Sequence, residues 1–226
     1  MYTLHIANKN YSSWSLRPWV LMKELGIAFD EQMVVFGDEP SWQAFRRQCP
    51  SGKVPCLIDQ DTTVWDSLAI IEYLAERHDD VWPSEARARA WARCAAAEMH
   101  SGFQPLRDLC SMNVGLRIRM NTTSGSLQKD IDRIDSLWLD GLKQFGGPFL
   151  AGERFTAVDA FFAPVVFRVR TYGLDLSDES AAYVERILAL GSMQQWEAEA
   201  LAEPWRDAVH EDVAFTVGTL LADHRQ

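Results

Sequence analysis

Apolar and polar residues alternate at the start of the chain, Tyr2-Thr3-Leu4-His5-Ile6-Ala7, and that period of two predicts a β-strand. The spacing then predicts a helix over 15–25, closed by Gly26 as a C-cap, and a second strand over 28–36 around Met33, Val34 and Val35. A short helix is expected between Ser41 and Gln48. Strands follow over 54–58 and near 63–65, and then an amphipathic helix over 67–77 with Leu68, Ile71 and Leu74 on one stripe. The resulting order, β-α-β-α-β-β-α, is thioredoxin-like. Beyond Asp79-Asp80 and Pro83 the strand signals stop, and Ala-, Leu- and Arg-rich helical patterns run to the end. The expected fold is therefore α/β plus all-α. A thioredoxin-like domain spans 1–80 and an all-helical domain spans 84–226, joined by an acidic, proline-containing connector.

Composition narrows the classes of function. The 226 residues carry a formal net charge of -10, with no block of Lys or Arg, which argues against a nucleic-acid or anionic-membrane surface. No segment has the roughly 18 uninterrupted apolar residues of a membrane span, and Met1 to Ala7 lack the pattern of a leader, so a soluble cytoplasmic protein is expected. Cys49, Cys56, Cys94 and Cys110 show neither Cys-x-x-Cys nor metal-ligand spacing, and neither disulfides nor a bound metal is expected.

Two neighbouring passages carry candidate chemistry. Val54-Pro55 opens a short apolar strand, and X-Pro is the bond at which the cis isomer is cheap. An outward-turned Val54 backbone can pair with an extended peptide as a strand does. Asp66-Ser67 opens the amphipathic helix, where unpaired N–H groups and the dipole favour an anion such as a carboxylate. Each alone reads as a turn or an N-cap. In tandem they point to a small acidic peptide, glutathione. Further along, Thr156 and Asp159 have capping-box spacing, a structural device that starts a helix whose Phe161, Phe162, Val165 and Val166 read as core.

On these passages the chain resembles a cytosolic glutathione S-transferase, and a zeta-like one. Ser12-Ser13-Trp14-Ser15-Leu16-Arg17 is similar to the zeta signature Ser-Ser-Cys-Ser-Trp-Arg, with Trp14 in place of its cysteine and Pro18-Trp19 in place of the Val-Arg that follows. The run Ser67 to Leu74 and the passage Gly102-Phe103-Gln104-Pro105-Leu106 are also similar to zeta sequences.

The resemblance implies an enzyme that binds glutathione as co-substrate and activates its thiol for conjugation to a small electrophile. A free thiol has a pKa of about 8.5, so the protein must favour the thiolate. Pro18 in the first turn of a helix from Ser15 would leave Ser12 and Ser13 in the loop ahead of the helix start. The signature aligns Ser12 with the thiolate-stabilising serine; Ser13 is the reserve and Tyr11 the competitor, since several classes use a tyrosine. It further implies glutathione contacts from Gln104, and Lys53 is a candidate for the glycyl carboxylate. The acceptor pocket would take in Trp14, with Arg168 and Arg170 near the family's arginine although neither aligns with it. A homodimer is also implied. A glutathione-dependent isomerase of maleylacetoacetate and a non-catalytic glutathione-binding protein stand as alternatives, and the lack of Cys over 12–15 counts against a cysteine-type oxidoreductase.

Overall fold

The computed structural model describes residues 1–225. Its first part runs β1 (Tyr2–Ala7), α1 (Ser13–Glu24), β2 (Phe29–Val34), α2 (Glu39–Arg46), β3 (Cys56–Asp59), β4 (Thr62–Trp65) and α3 (Ser67–Ala75). The strands form one sheet in the order β2-β1-β3-β4. β1 is parallel to β2, as a strand-helix-strand crossover requires, while β3 and β4 are antiparallel. This is the thioredoxin-like order that the pattern predicts.

Local chemistry explains the boundaries. α1 ends in a Schellman arrangement: Gly26 takes φ +66°, its N–H meets the Lys23 carbonyl, and the Ile27 N–H reaches back to the Met22 carbonyl at 2.8 Å. The start of α1 differs from the expectation. The helix begins at Ser13, with Ser12 as N-cap, so Pro18 lies inside the helix and not in its first turn. Its missing N–H leaves the Trp14 carbonyl without a helical partner.

The remaining elements are α4 (Ala86–Ser101), α5 (Gln104–Leu109), β5 (Leu116–Met120), α6 (Gly125–Phe145), α7 (Ala157–Tyr172), α8 (Asp178–Leu188), α9 (Gly191–Ala202), α10 (Ala208–Val217) and β6 (Gly218–Asp223). The region is helical, as expected, with one small sheet added to it. β5 and β6 form an antiparallel two-stranded sheet. α7 is the central helix, with Phe161, Phe162, Val165 and Val166 buried among its neighbours. The expected capping box starts it: Asp159 accepts from the Thr156 N–H at 3.0 Å, and its other oxygen accepts from the Leu150 N–H and the Tyr183 hydroxyl.

The two parts share one apolar core, with α1 against α7, and a polar contact set adds to it. Lys9, just after β1, is 3% exposed, and its ammonium meets Glu31 at 2.7 Å and Glu199 of α9. It also lies 5.0 Å from the Trp19 ring and 5.5 Å from the Trp196 ring. The Trp196 indole donates to the Lys9 carbonyl, and the Lys9 N–H donates to Glu203. The cleft lies beside this junction.

Candidate active site

The loop between β1 and α1 forms the floor of the cleft. The Asn8 side chain accepts from the Phe36 N–H, and its carbonyl accepts from the Tyr11 and Ser12 N–H groups, so the loop has a fixed path. Ser12 and Ser13 both line a cavity of about 510 Å³. Their hydroxyls are not equivalent. Ser12 Oγ donates to Ser15 Oγ at 2.7 Å, and Ser15 in turn accepts from the Ala7 N–H. Ser13 Oγ has no hydrogen bond to another described residue, although the residue lines the same cavity.

Tyr11 also lines the cavity, with its hydroxyl fully engaged. It donates to Glu211 at 2.6 Å and accepts from Arg225 at 2.6 Å and from the Asp207 N–H at 3.1 Å. Burial, followed by the bond to Glu211, raises its pKa further above the ordinary phenol value. That hydroxyl belongs to a network with the C-terminal segment.

A second cavity, about 270 Å³, adjoins the first, and Trp14, Lys53 and Val54 line both. Its walls include Pro55, Asp66 and Ser67. The Val54-Pro55 peptide is cis, as expected. The Val54 backbone makes no hydrogen bond to another described residue, and an extended ligand can pair with it. Asp66 has φ +74° and caps α3 by accepting from the Leu68 N–H at 2.8 Å. The Ser67 N–H has no partner among the described residues and stands at the helix start. The Ser67 hydroxyl is buried and accepts from Arg17 at 3.3 Å, so it braces the arginine that underlies the site.

The remaining candidates separate by position. Gln104 lines the larger cavity but donates to Asp108 on its own helix at 2.6 Å. Lys53 is exposed on the wall shared by both cavities. Arg168 is buried, lines the larger cavity and uses its Nε–H on the Cys110 carbonyl at 2.7 Å. Arg170 is not in this site. Two residues turn a helix by about 200°, and Arg170 instead pairs with Glu197 at 2.7 Å.

Sequence reasoning missed Arg107 and His210, which both line the larger cavity. Arg107 shares Trp14 with Arg17: the two guanidinium carbons lie 4.8 and 4.1 Å from the Trp14 ring centre. Burial, and then repulsion by Arg107, pulls the Arg168 pKa down to about 10. Burial also lowers Arg107, and lowers Arg17 far more, with repulsion from Arg107 and Arg168 adding to it. Among the described residues the larger cavity is thus lined by Lys53, Arg107 and Arg168 with no carboxylate, in a chain of net charge -10. His210 stacks on Tyr11 and Phe36, with ring centres 5.1 and 5.2 Å away, and its Nδ1 meets Asp207 at 2.8 Å. The local signal for it was Asp207-x-x-His210 at helical spacing.

Family comparison follows the same two parts. The model of the glutathione S-transferase N-terminal domain matches residues 11–77, and that of the glutathione S-transferase C-terminal domain matches 84–208. The chain belongs to the glutathione S-transferase family. Within it, the chain is 29% identical over 169 residues to a probable maleylacetoacetate isomerase of Caenorhabditis elegans, covering 73% of this chain and 77% of the relative. It is 27% identical over 175 residues to glutathione S-transferase 1 of Dianthus caryophyllus, covering 74% and 76%. In fold it is similar to a glutathione transferase homolog from Burkholderia gl BGR1 solved with bound glutathione: TM-score 0.65, 24% identity, 88% of this chain and 97% of that one.

Proposed function

We propose that this family member is a glutathione transferase that holds the tripeptide along the smaller cavity and presents its sulfur, as thiolate, to an electrophile in the larger one. The observation that carries this reading is the convergence on one cleft of three unfilled groups: the Val54 backbone, the Ser67 N–H at the start of α3, and the Ser13 hydroxyl. The first two offer strand-like pairing and an anion site. The third can donate to sulfur. Ser13 is preferred to Ser12 because Ser12 already donates to Ser15. Lys53, exposed on the shared wall, is the proposed partner of a glutathione carboxylate, and the working unit is proposed to be a homodimer.

The test is a titration of the bound thiol by thiolate absorbance, alongside calorimetry. Glutathione is expected to bind the wild type in the micromolar to millimolar range. Ser13→Ala should keep that affinity while the thiolate titration moves to higher pH, by one unit for each roughly 1.4 kcal/mol lost. A shift in Ser12→Ala alone would return the role to Ser12.

A second reading is favoured by the charge of the larger cavity. Arg107 and Arg168 face it without a carboxylate partner among the described residues, which suits an acceptor bearing carboxylates. The naming of the Caenorhabditis elegans relative as a probable maleylacetoacetate isomerase fits that chemistry. Turnover of maleylacetoacetate, lost in Arg168→Met with glutathione binding retained, would favour isomerisation over conjugation.

A further inference from the structure

His210 stands in the acceptor cavity with its imidazole fixed in three ways. Its ring stacks on Tyr11 and on Phe36, each within a 29° interplanar angle. Its Nδ1 lies 2.8 Å from Asp207, whose carboxylate is held below its usual range; the largest influence, burial, opposes this and is outweighed by the bonds to His210. Its carbonyl accepts from Ser111 at 3.1 Å. Asp207 is also the N-cap of α10, accepting from the His210 N–H at 3.0 Å, so backbone and ring are tied to the same oxygen. A carboxylate on Nδ1 fixes the orientation and the tautomer of the ring. Nε2 is then the free end of the ring, and it hydrogen-bonds no other described residue in a side chain 32% exposed at the cavity wall.

The other charged and titratable groups around the ring are accounted for. Glu211 is occupied by Tyr11, Arg206 and Arg225. Arg225 comes from the segment after β6 and holds the Tyr11 hydroxyl. Lys53, Arg107 and Arg168 line the same cavity. No carboxylate of the described residues lines the cavity beside Nε2.

Resting on the transferase reading above, we infer that His210 is the proton donor to the acceptor substrate, that the acceptor is an α,β-unsaturated carbonyl compound, and that Asp207 is the positioning residue of the pair. The thiolate sulfur forms a bond to the β-carbon, and the electron pair of the carbon-carbon double bond moves onto the α-carbon and carbonyl oxygen as an enolate. The imidazolium Nε2–H bond breaks, and its proton goes to the enolate. His210 recovers a proton from solvent, which balances the one the thiol released on activation. The net change is addition of S–H across a double bond, with nothing oxidised or reduced. Arg107 and Arg168 stabilise the developing enolate oxygen. An aryl halide, by contrast, leaves as halide and needs no proton.

The experiment compares benzylideneacetone with chlorodinitrobenzene as acceptors for wild type, His210→Gln and Asp207→Asn; asparagine retains the N-cap. General acid catalysis by a positioned side chain contributes about a hundredfold or more. His210→Gln is therefore expected to lower kcat/KM for the enone by about that factor and to cost the aryl halide far less, so that the ratio of the two falls roughly tenfold or more. Asp207→Asn should lower kcat for the enone with KM for the enone unchanged, a split that a merely structural role would not give. Equal losses with both acceptors, or a kcat for the enone unchanged in both variants, would overturn the assignment. So would a wild type that conjugates the aryl halide but no enone. A wild type that shows no glutathione in calorimetry overturns the transferase reading and this one with it, whereas glutathione binding with normal aryl halide turnover leaves only the His210 role at stake.

Discussion

At the scale of single residues, the cleft shows how hydrogen-bond partners decide which hydroxyl is available for chemistry. Tyr11 sits one residue from the serines and lines the same cavity, yet its oxygen is saturated by Glu211, Arg225 and the Asp207 N–H. Tyr11→Phe is expected to leave the thiolate titration of bound glutathione unchanged. It should instead cost stability, about 1–3 kcal/mol, because a buried arginine and a carboxylate lose a shared partner. Urea unfolding measures the cost, and a shifted thiolate titration would contradict the assignment. Arg168 and Arg170 make the same point by geometry: two residues apart on α7, one faces the cleft and the other Glu197.

At the scale of elements, the start of α7 depends on a carboxylate without a solvent-facing side. Asp159 accepts from Leu150, Tyr183 and Thr156, and burial outweighs those bonds and lifts its pKa from the ordinary 3.8 to about 6. Between those values the native state holds the proton more tightly than the unfolded chain. The contribution of this group to stability is therefore complete below about pH 4 and is lost as pH rises through about 6. Asp159→Asn places an amide N–H₂ group against donors, at an expected cost of about 1–3 kcal/mol. The stability gap between wild type and variant should narrow from pH 4 towards 6, as read by urea unfolding across that range. The Thr156-x-x-Asp159 spacing was legible because a cap is local, and so were Val54-Pro55, Asp66-Ser67 and the first four strands. β5 and β6 were not. Leu116-Arg117-Ile118-Arg119-Met120 does alternate, but its partner lies about a hundred residues away and Gly218-Thr219-Leu220-Leu221 continues a helical pattern. Arg107 and His210 were hidden for the same reason, since only the folded chain brings them to the loop after β1. The start of α1 was misplaced because Pro18 is tolerated inside the helix.

At the scale of the whole molecule, the sheet domain and the helices share one apolar core, and a buried ammonium adds a polar contact between them. Lys9→Met removes the charge that Glu31 and Glu199 share and the cation over Trp19 and Trp196. Both glutamates are about a third exposed or more, so solvent relieves part of the loss. The expected cost is about 1–3 kcal/mol, below that of a fully buried pair, and calorimetric unfolding should show it as a lower Tm. The proposed homodimer is checked by light scattering: twice the chain mass is expected at micromolar concentration, since such interfaces bury more than about 1,000 Å². A chain mass that stays single at every concentration would remove it.

The enclosure of Lys9 also sets how the protein will answer to amine-directed labelling. The sequence holds five lysines, at 9, 23, 53, 129 and 143. Four are exposed, and only Lys53 stands on the cleft. An acylating reagent will therefore pass over Lys9, mark Lys23, Lys129 and Lys143 alike in every state, and reach Lys53 according to whether the cleft is filled. Peptide mapping of the labelled protein then becomes an occupancy gauge with three internal standards and one blank.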